Sequence, residues 1–271
     1  MREAASNKQR LYMELGGWSA PNRIVSGITT KNNGVSKSPF DSLNMGLHVG
    51  DKDADVIQNR ELLAGEIAFP LANWVLGEQV HGTEIAVVQK KDAGRGSKSL
   101  SDSIPSVDGL ITNEPGLLLA AFFADCVPLY FSDAKTGWIG MAHAGWRGTV
   151  GDMAGKMIAA LGSQGANPAN IEAMIGPCIS KHKYEVDDRI FQQIPERFRA
   201  QVLTASGESD KYYLDLQALN RLYLLDAGVK DAHIKTAPFC TYEMPEFYSH
   251  RQDQGKTGRM IGFIGMKEEQ V

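Results

Sequence analysis

One stretch constrains this chain more than any other. From Leu117 to Val150 it reads LLLAAFFADCVPLYFSDAKTGWIGMAHAGWRGTV. A first apolar run ends in Asp125-Cys126. A second covers Val127 to Phe131, a turn follows at Asp133 to Gly137, and a third run, Trp138 to Ala142, ends in His143. Apolar runs of this length, bounded by turn residues, predict buried strands. A thiol and an imidazole therefore lie at strand ends, 17 positions apart with one turn between them. A hairpin would bring them together, so the stretch reads as half of an active site.

The rest of the pattern predicts strands near Tyr12 and at Ile24–Thr30, Trp74–Leu76, Thr83–Val88, Gly109–Thr112, Ile171–Ile175, Ile234–Phe239 and Met260–Met266. Helices are expected at Ala54–Glu66, capped by Asp53, at Thr149–Leu161, at Val186–Phe198 with a break near Pro195, and from Leu216 to Ala227 behind the cap Asp215. The polar segment from Lys90 to Ser106, with Gly94, Gly96 and five serines, reads as a mobile loop. Helices and strands mix without strict alternation, which predicts an α+β fold. No repeat or linker divides the chain, so one domain over 1–271 is expected, with residues 1–22 peripheral.

Composition excludes several classes of function. A net charge of −4 and the lack of a basic stretch argue against nucleic-acid binding and against an anionic membrane surface. No apolar run reaches transmembrane length, and the first residues lack the apolar core of a signal peptide. Cys126, Cys178 and Cys240 are odd in number and widely spaced, which points to a reducing cytoplasm rather than a disulfide framework.

His81, Cys126 and His143 are the soft or borderline ligands that stand out, each beside a glycine or a turn. Two imidazoles and a thiolate with a fourth position open form a ligand set used by catalytic zinc. Spacing adds nothing, because His81 and Cys126 are 45 positions apart, and a cysteine bordering an apolar strand is also an ordinary core residue. His143 precedes Ala144-Gly145-Trp146-Arg147-Gly148, where a helix start and a guanidinium fork suit phosphate or carboxylate. The alternative is a strand-to-helix turn with a solvated arginine. His48 could line a pocket or pack in a turn, and His250 is intermediate. His182 and His233 carry no functional signal.

Gln79-Val80-His81-Gly82, Ala124-Asp125-Cys126-Val127-Pro128, His143-Ala144-Gly145-Trp146-Arg147-Gly148 and Ile175-Gly176-Pro177-Cys178 resemble, in order, the motifs of the YfiH family. These are also called laccase-domain or polyphenol-oxidase-like proteins. Ser42-Leu43-Asn44 with Gly46-Leu47-His48 matches the N-terminal motif. Tyr248-Ser249-His250-Arg251 with Thr257-Gly258-Arg259 matches the C-terminal one. The chain looks most like the YlmD-type bacterial branch. Two departures are Gln252, where relatives often carry a second arginine, and Glu243, where many carry a second cysteine.

The resemblance implies a single α+β domain of four layers, helices enclosing a mixed β-sandwich. It implies zinc on His81, Cys126 and His143, with copper as the older assignment. It also implies purine nucleoside chemistry on small molecules: phosphorolysis of adenosine, inosine and methylthioadenosine, and deamination of adenosine. Within it, Cys126, His143, Arg147 and Asp125 are the expected catalytic residues, with Glu78 as a second proton-donor candidate. Asn44, His48, Gln79, Arg147 and Arg251 are the expected substrate- or phosphate-binding residues. Three rivals stay open: a cysteine- or zinc-dependent hydrolase editing peptidoglycan precursors, a copper polyphenol oxidase, and a non-enzymatic partner-binding protein with structural zinc, against which three ligands rather than four argue. The second fits poorly, since six histidines without an H-x-H pair are few for several coppers. Oligomeric state is not legible.

Overall fold

The computed structural model describes residues 10–20 and 23–268. In chain order the main elements begin with β1 (Tyr12–Glu14), β2 (Ile24–Thr29), α1 (Asp53–Ile67), β3 (Trp74–Leu76), β4 (Ile85–Val87) and β5 (Gly109–Thr112). The central stretch supplies β6 (Leu118–Phe123), β7 (Val127–Asp133), β8 (Trp138–Ala144), α2 (Trp146–Val150) and α3 (Met153–Ser163). Then come β9 (Glu172–Ile175), β10 (Glu185–Asp187), α4 (Asp188–Gln193), α5 (Glu196–Val202), β11 (Leu203–Ala205) and β12 (Lys211–Leu214). The chain closes with α6 (Leu216–Asp226), β13 (Ile234–Thr236) and β14 (Met260–Met266).

Two large mixed sheets stack face to face. One has five strands in the order β1-β2-β14-β6-β3, the other six in the order β13-β9-β7-β8-β5-β4. Most pairs are antiparallel, while β3 with β6, β4 with β5 and β13 with β9 run parallel. A small antiparallel sheet, β10-β12-β11, stands apart.

The apolar runs are continuous because both faces of these strands are buried. In β6, Leu119, Ala121 and Phe123 face the space between the sheets, with Tyr130, Met141 and Ile264. Leu118, Ala120 and Phe122 face the other way, onto Leu63 and Ile67 of α1. In β7, Leu129 and Phe131 face Met157 and Leu161 of α3 and Leu219 of α6. The layers are therefore helix, sheet, sheet, helix, the α+β architecture expected.

Several expected elements differ. The single helix over 149–161 is two, because Asp152 takes a left-handed φ of 60° and caps α3 by accepting from Gly155 N at 2.9 Å. The expected helix from Val186 begins instead as β10, where Val186 pairs with Tyr212, and Pro195 separates α4 from α5. The strand from Ile234 stops at Thr236. The loop from Lys90 to Ser106 is pinned rather than loose: the wholly buried Arg60 donates to Gly96 O (2.9 Å) and Ser97 O (2.7 Å), and Arg95 donates to Asp102 O and Ser103 O. Of the segment 1–22, residues 1–9 and 21–22 lie outside the described residues, whereas β1 pairs with β2 and buries Leu15 and Trp18 behind it.

Candidate metal centre

Strand β7 pairs with β8 in a register that puts Val127 opposite Ala144 and Pro128 opposite His143. Cys126, just before β7, therefore meets the His143 end of β8. Asp125 makes the turn from β6 with φ 80°. His81 comes from the crossing between β3 and β4 and holds φ 58°. One ligand atom from each of His81, Cys126 and His143 lies within 4.8 Å of the other two. Among the described residues this is the one group of three or more such side chains. The two imidazoles meet edge to face, centroids 4.9 Å apart. Gly145 makes the approach possible, since a Cβ there would lie 3.1 Å from Cys126 Sγ and 3.1 Å from His81 Cδ2.

Sequence reasoning missed Asp108. Its buried carboxylate meets His143 Nδ1 at 2.8 Å and accepts from the N–H groups of Val80 (3.1 Å), His81 (3.1 Å) and Gly82 (2.7 Å). Burial opposes its charge, but the His143 ring and these N–H groups hold it below the usual carboxylate value. Burial also opposes charge on Cys126 and His143, yet each favours the charged form of the other. The thiol is pulled well below its ordinary value, helped by His81, and the His143 imidazole is raised, helped by Asp108. The arrangement favours a thiolate, the form that ligates a metal or attacks carbon.

The three side chains open into a cavity of about 740 Å³. Three arginines line it, Arg147, Arg251 and Arg259, with Phe122, Trp146 and Tyr184 as aromatic walls. Arg147 stacks over Trp146 at 4.5 Å and Arg251 lies over Tyr184 at 5.2 Å. Burial pushes the Tyr184 phenol up, so it stays a donor. His48 edges onto Phe122 with its ring open to the cavity; the protein packed around it, then Arg259, Arg60 and His81, lower its pKa to about 4. It is therefore neutral at physiological pH.

The other expected residues divide. Arg147, Arg251, His48 and Gln79 line the cavity, as does Glu78, which commits Oε2 to Ser106 N. Gln79 also clamps both backbone groups of Phe122 with its amide, at 3.0 and 2.7 Å. Asp125 lines the wall but commits both oxygens, Oδ1 to Thr241 and Oδ2 to Ser249 and the Arg251 N–H. Asn44 does not line the cavity. It is wholly buried, accepts from Gly46 N and Arg259 N, and donates to Asp51. Arg259, quoted above only as part of a motif, and His250 both line the cavity. Helix α2 spans only five residues, so attraction for an anion rests chiefly on the arginine side chains.

Residues 25–267 match the family model described as multi-copper polyphenol oxidoreductase laccase. The chain belongs to this family. Within it, a protein of Geobacillus stearothermophilus named purine nucleoside phosphorylase YlmD is 49% identical over 252 residues, 90% of this chain and 91% of that one. Its namesake in Bacillus subtilis is 45% identical and covers 93% of each. Among solved structures, YlmD from Geobacillus stearothermophilus superposes with a TM-score of 0.90 at 44% identity, covering 97% of this chain and 98% of that one. A Bacillus licheniformis hypothetical protein YfiH gives 0.88 at 40%, covering 91% and 94%. The family thus shares the four-layer fold. Among the described residues of this member, the His81–Cys126–His143 cluster is the group that could hold a metal ion.

Proposed function

We propose that this chain is a zinc-dependent purine nucleoside enzyme of the cytoplasm. It cleaves adenosine, inosine and methylthioadenosine with phosphate, releasing the base and ribose 1-phosphate or its methylthio form, and it deaminates adenosine. One observation carries the reading: a three-ligand His/Cys/His cluster set in the wall of a cavity that three arginines line. The names of the relatives agree with it. So do the free cysteines, and no helix among the described residues is long and apolar enough to cross a membrane.

The donor set fits zinc. Two nitrogens and a sulfur suit a borderline ion and not magnesium or calcium, which prefer oxygen. Bound there, zinc would supply a Lewis acid with one open position. The remaining work falls to the protein's own side chains. Arg147 and Arg251 hold phosphate by charge-assisted hydrogen bonds. A phosphate oxygen attacks C1′, the glycosidic bond breaks, and the base leaves with the bonding pair and takes up a proton. Tyr184 is a protonated donor on the cavity wall. Phe122 and Trp146 offer flat faces for the purine. For deamination, water replaces the amino group at C6, and Glu78 is better placed than Asp125 to carry the proton from that water to departing ammonia, because both Asp125 oxygens are engaged.

The Cys126–His143 pair favours a second reading, a hydrolase with Cys126 as nucleophile acting on peptidoglycan precursors. A copper oxidase is the third, and it would need further copper centres than the one group found among the described residues.

The test is a product assay on metal-quantified protein with adenosine, with and without phosphate, alongside Cys126→Ala and His143→Ala. Phosphate-dependent adenine release or inosine formation, lost in both variants and on chelation, is expected. Activity that survives chelation but not iodoacetamide would favour the hydrolase. An intense visible band on copper loading would revive the oxidase.

A further inference from the structure

One carboxylate touches both histidines of the cluster, the ring of His143 and the backbone of His81. Asp108 Oδ1 lies 2.8 Å from His143 Nδ1, which leaves Nε2 of that ring for the cluster. The same side chain gathers three successive N–H groups, from Val80, His81 and Gly82. Three converging N–H groups form an anion-binding concavity of the kind called a nest. The left-handed φ of 58° at His81 bends the backbone into it, a conformation that a non-glycine residue holds only when its surroundings enforce it. The carboxylate's four acceptor positions are filled, so this is a completed, rigid hub rather than a solvated acid. The main chain repeats the link, with His143 N donating to Asp108 O at 2.8 Å.

We propose that Asp108 is the positioning residue of the centre, holding His81 through its backbone and His143 through its ring in one preset arrangement that receives the metal ion. The inference rests on the metal reading of the cluster. It adds that the site is preformed and that a residue outside the ligand set fixes both of its histidines. An amide at this position would turn an NH₂ toward backbone donors that need an acceptor, so Asp108→Asn would release the His81 turn. It would also weaken the hold on the His143 tautomer.

The test is Co²⁺ binding, by competition with a chromophoric chelator and by the thiolate-to-cobalt absorption, in the wild type, Asp108→Asn and Asp108→Ser. Leu219→Ala, a cavity variant in the outer helical layer, controls for lost stability. Asp108→Asn is expected to weaken binding by about 10–100-fold and to alter the absorption, while Leu219→Ala binds as the wild type does. Asp108→Ser should weaken binding as Asp108→Asn does, and it stands in if the asparagine variant does not fold. Wild-type affinity and spectrum in the Asp108 variants, or equal weakening in Leu219→Ala, would overturn the role of Asp108 alone. A wild type that binds no cobalt or zinc would overturn the metal reading and this inference together.

Discussion

At position 145 the backbone comes so near Cys126 and His81 that a methyl group would lie 3.1 Å from an atom of each. Overpacking a rigid site costs roughly 1–3 kcal/mol, and here the cost falls on the cluster itself. Gly145→Ala is expected to weaken zinc binding by about tenfold, read by calorimetric titration, with the fold intact. Arg147 is on the cavity wall, stacked on Trp146. Its replacement by Ala should raise the KM for phosphate by about tenfold and leave the KM for nucleoside little changed; equal changes in both would mean that it does not hold phosphate. Individual residues were unequally legible in the sequence. His81, Cys126 and His143 announced themselves by type and by the glycine or turn beside each. Asp108 did not, because an isolated acid between Val107 and Gly109 looks like a turn. Only the pairing of Gly109 with Ala142 sets it beside His143. Asn44 misled for the opposite reason: its amide completes the hydrogen bonding of Gly46, Asp51 and Arg259 inside the protein.

Elements buried on both faces were the most legible, since an unbroken apolar run leaves few alternatives. The β7–β8 hairpin lies where its turn residues place it. Elements whose ends depend on one backbone angle were not legible. Aspartate tolerates a left-handed φ and caps helices, yet its type alone does not say that the break between α2 and α3 falls at Asp152, and β10 exists because β12, remote in sequence, lies beside it. The cavity wall shows the same dependence. Arg60, on α1, donates to Met45 O, Gly96 O and Ser97 O with no exposure to solvent, and its guanidinium lies 5.1 Å from the Phe122 ring. Burial lowers its pKa to about 10, so it remains charged at neutral pH. One side chain thus ties a helix, the segment before His48 and the polar loop to a cavity-lining phenylalanine. Arg60→Met leaves those carbonyls buried without a donor, at a cost of roughly 3 kcal/mol or more. Denaturant unfolding should show that loss, and limited proteolysis should open the loop around Leu100 in the folded variant. A loop as resistant as in the wild type would mean that its other hydrogen bonds, from Arg95 and to Leu76 and Trp74, hold it without Arg60.

The His81–Cys126–His143 cluster lies where the two sheets exchange chain. His81 is on the crossing from β3, in the five-stranded sheet, to β4, in the six-stranded one, and Cys126 is on the crossing from β6 to β7. His143 ends β8, inside the second sheet. An ion held by all three would therefore tie together both crossings and one strand end. Such an ion binds the folded chain far better than the unfolded one, so its affinity adds to global stability. At a free concentration of about 100 times Kd the gain is roughly 2.7 kcal/mol. For a chain of this size that corresponds to a rise in Tm of roughly 5 °C. Chelation of the purified protein should therefore lower Tm by about that much, and stoichiometric zinc should restore it. Cys126→Ala should melt at one temperature with or without zinc. The position of the ligands makes a stronger demand than ordinary linkage does. Hydrogen exchange should slow on zinc binding in both sheets near these crossings, in β6 and β3 as well as in β7 and β8. Protection confined to β7 and β8 would mean that the ion serves the hairpin alone and that the sandwich closes without it.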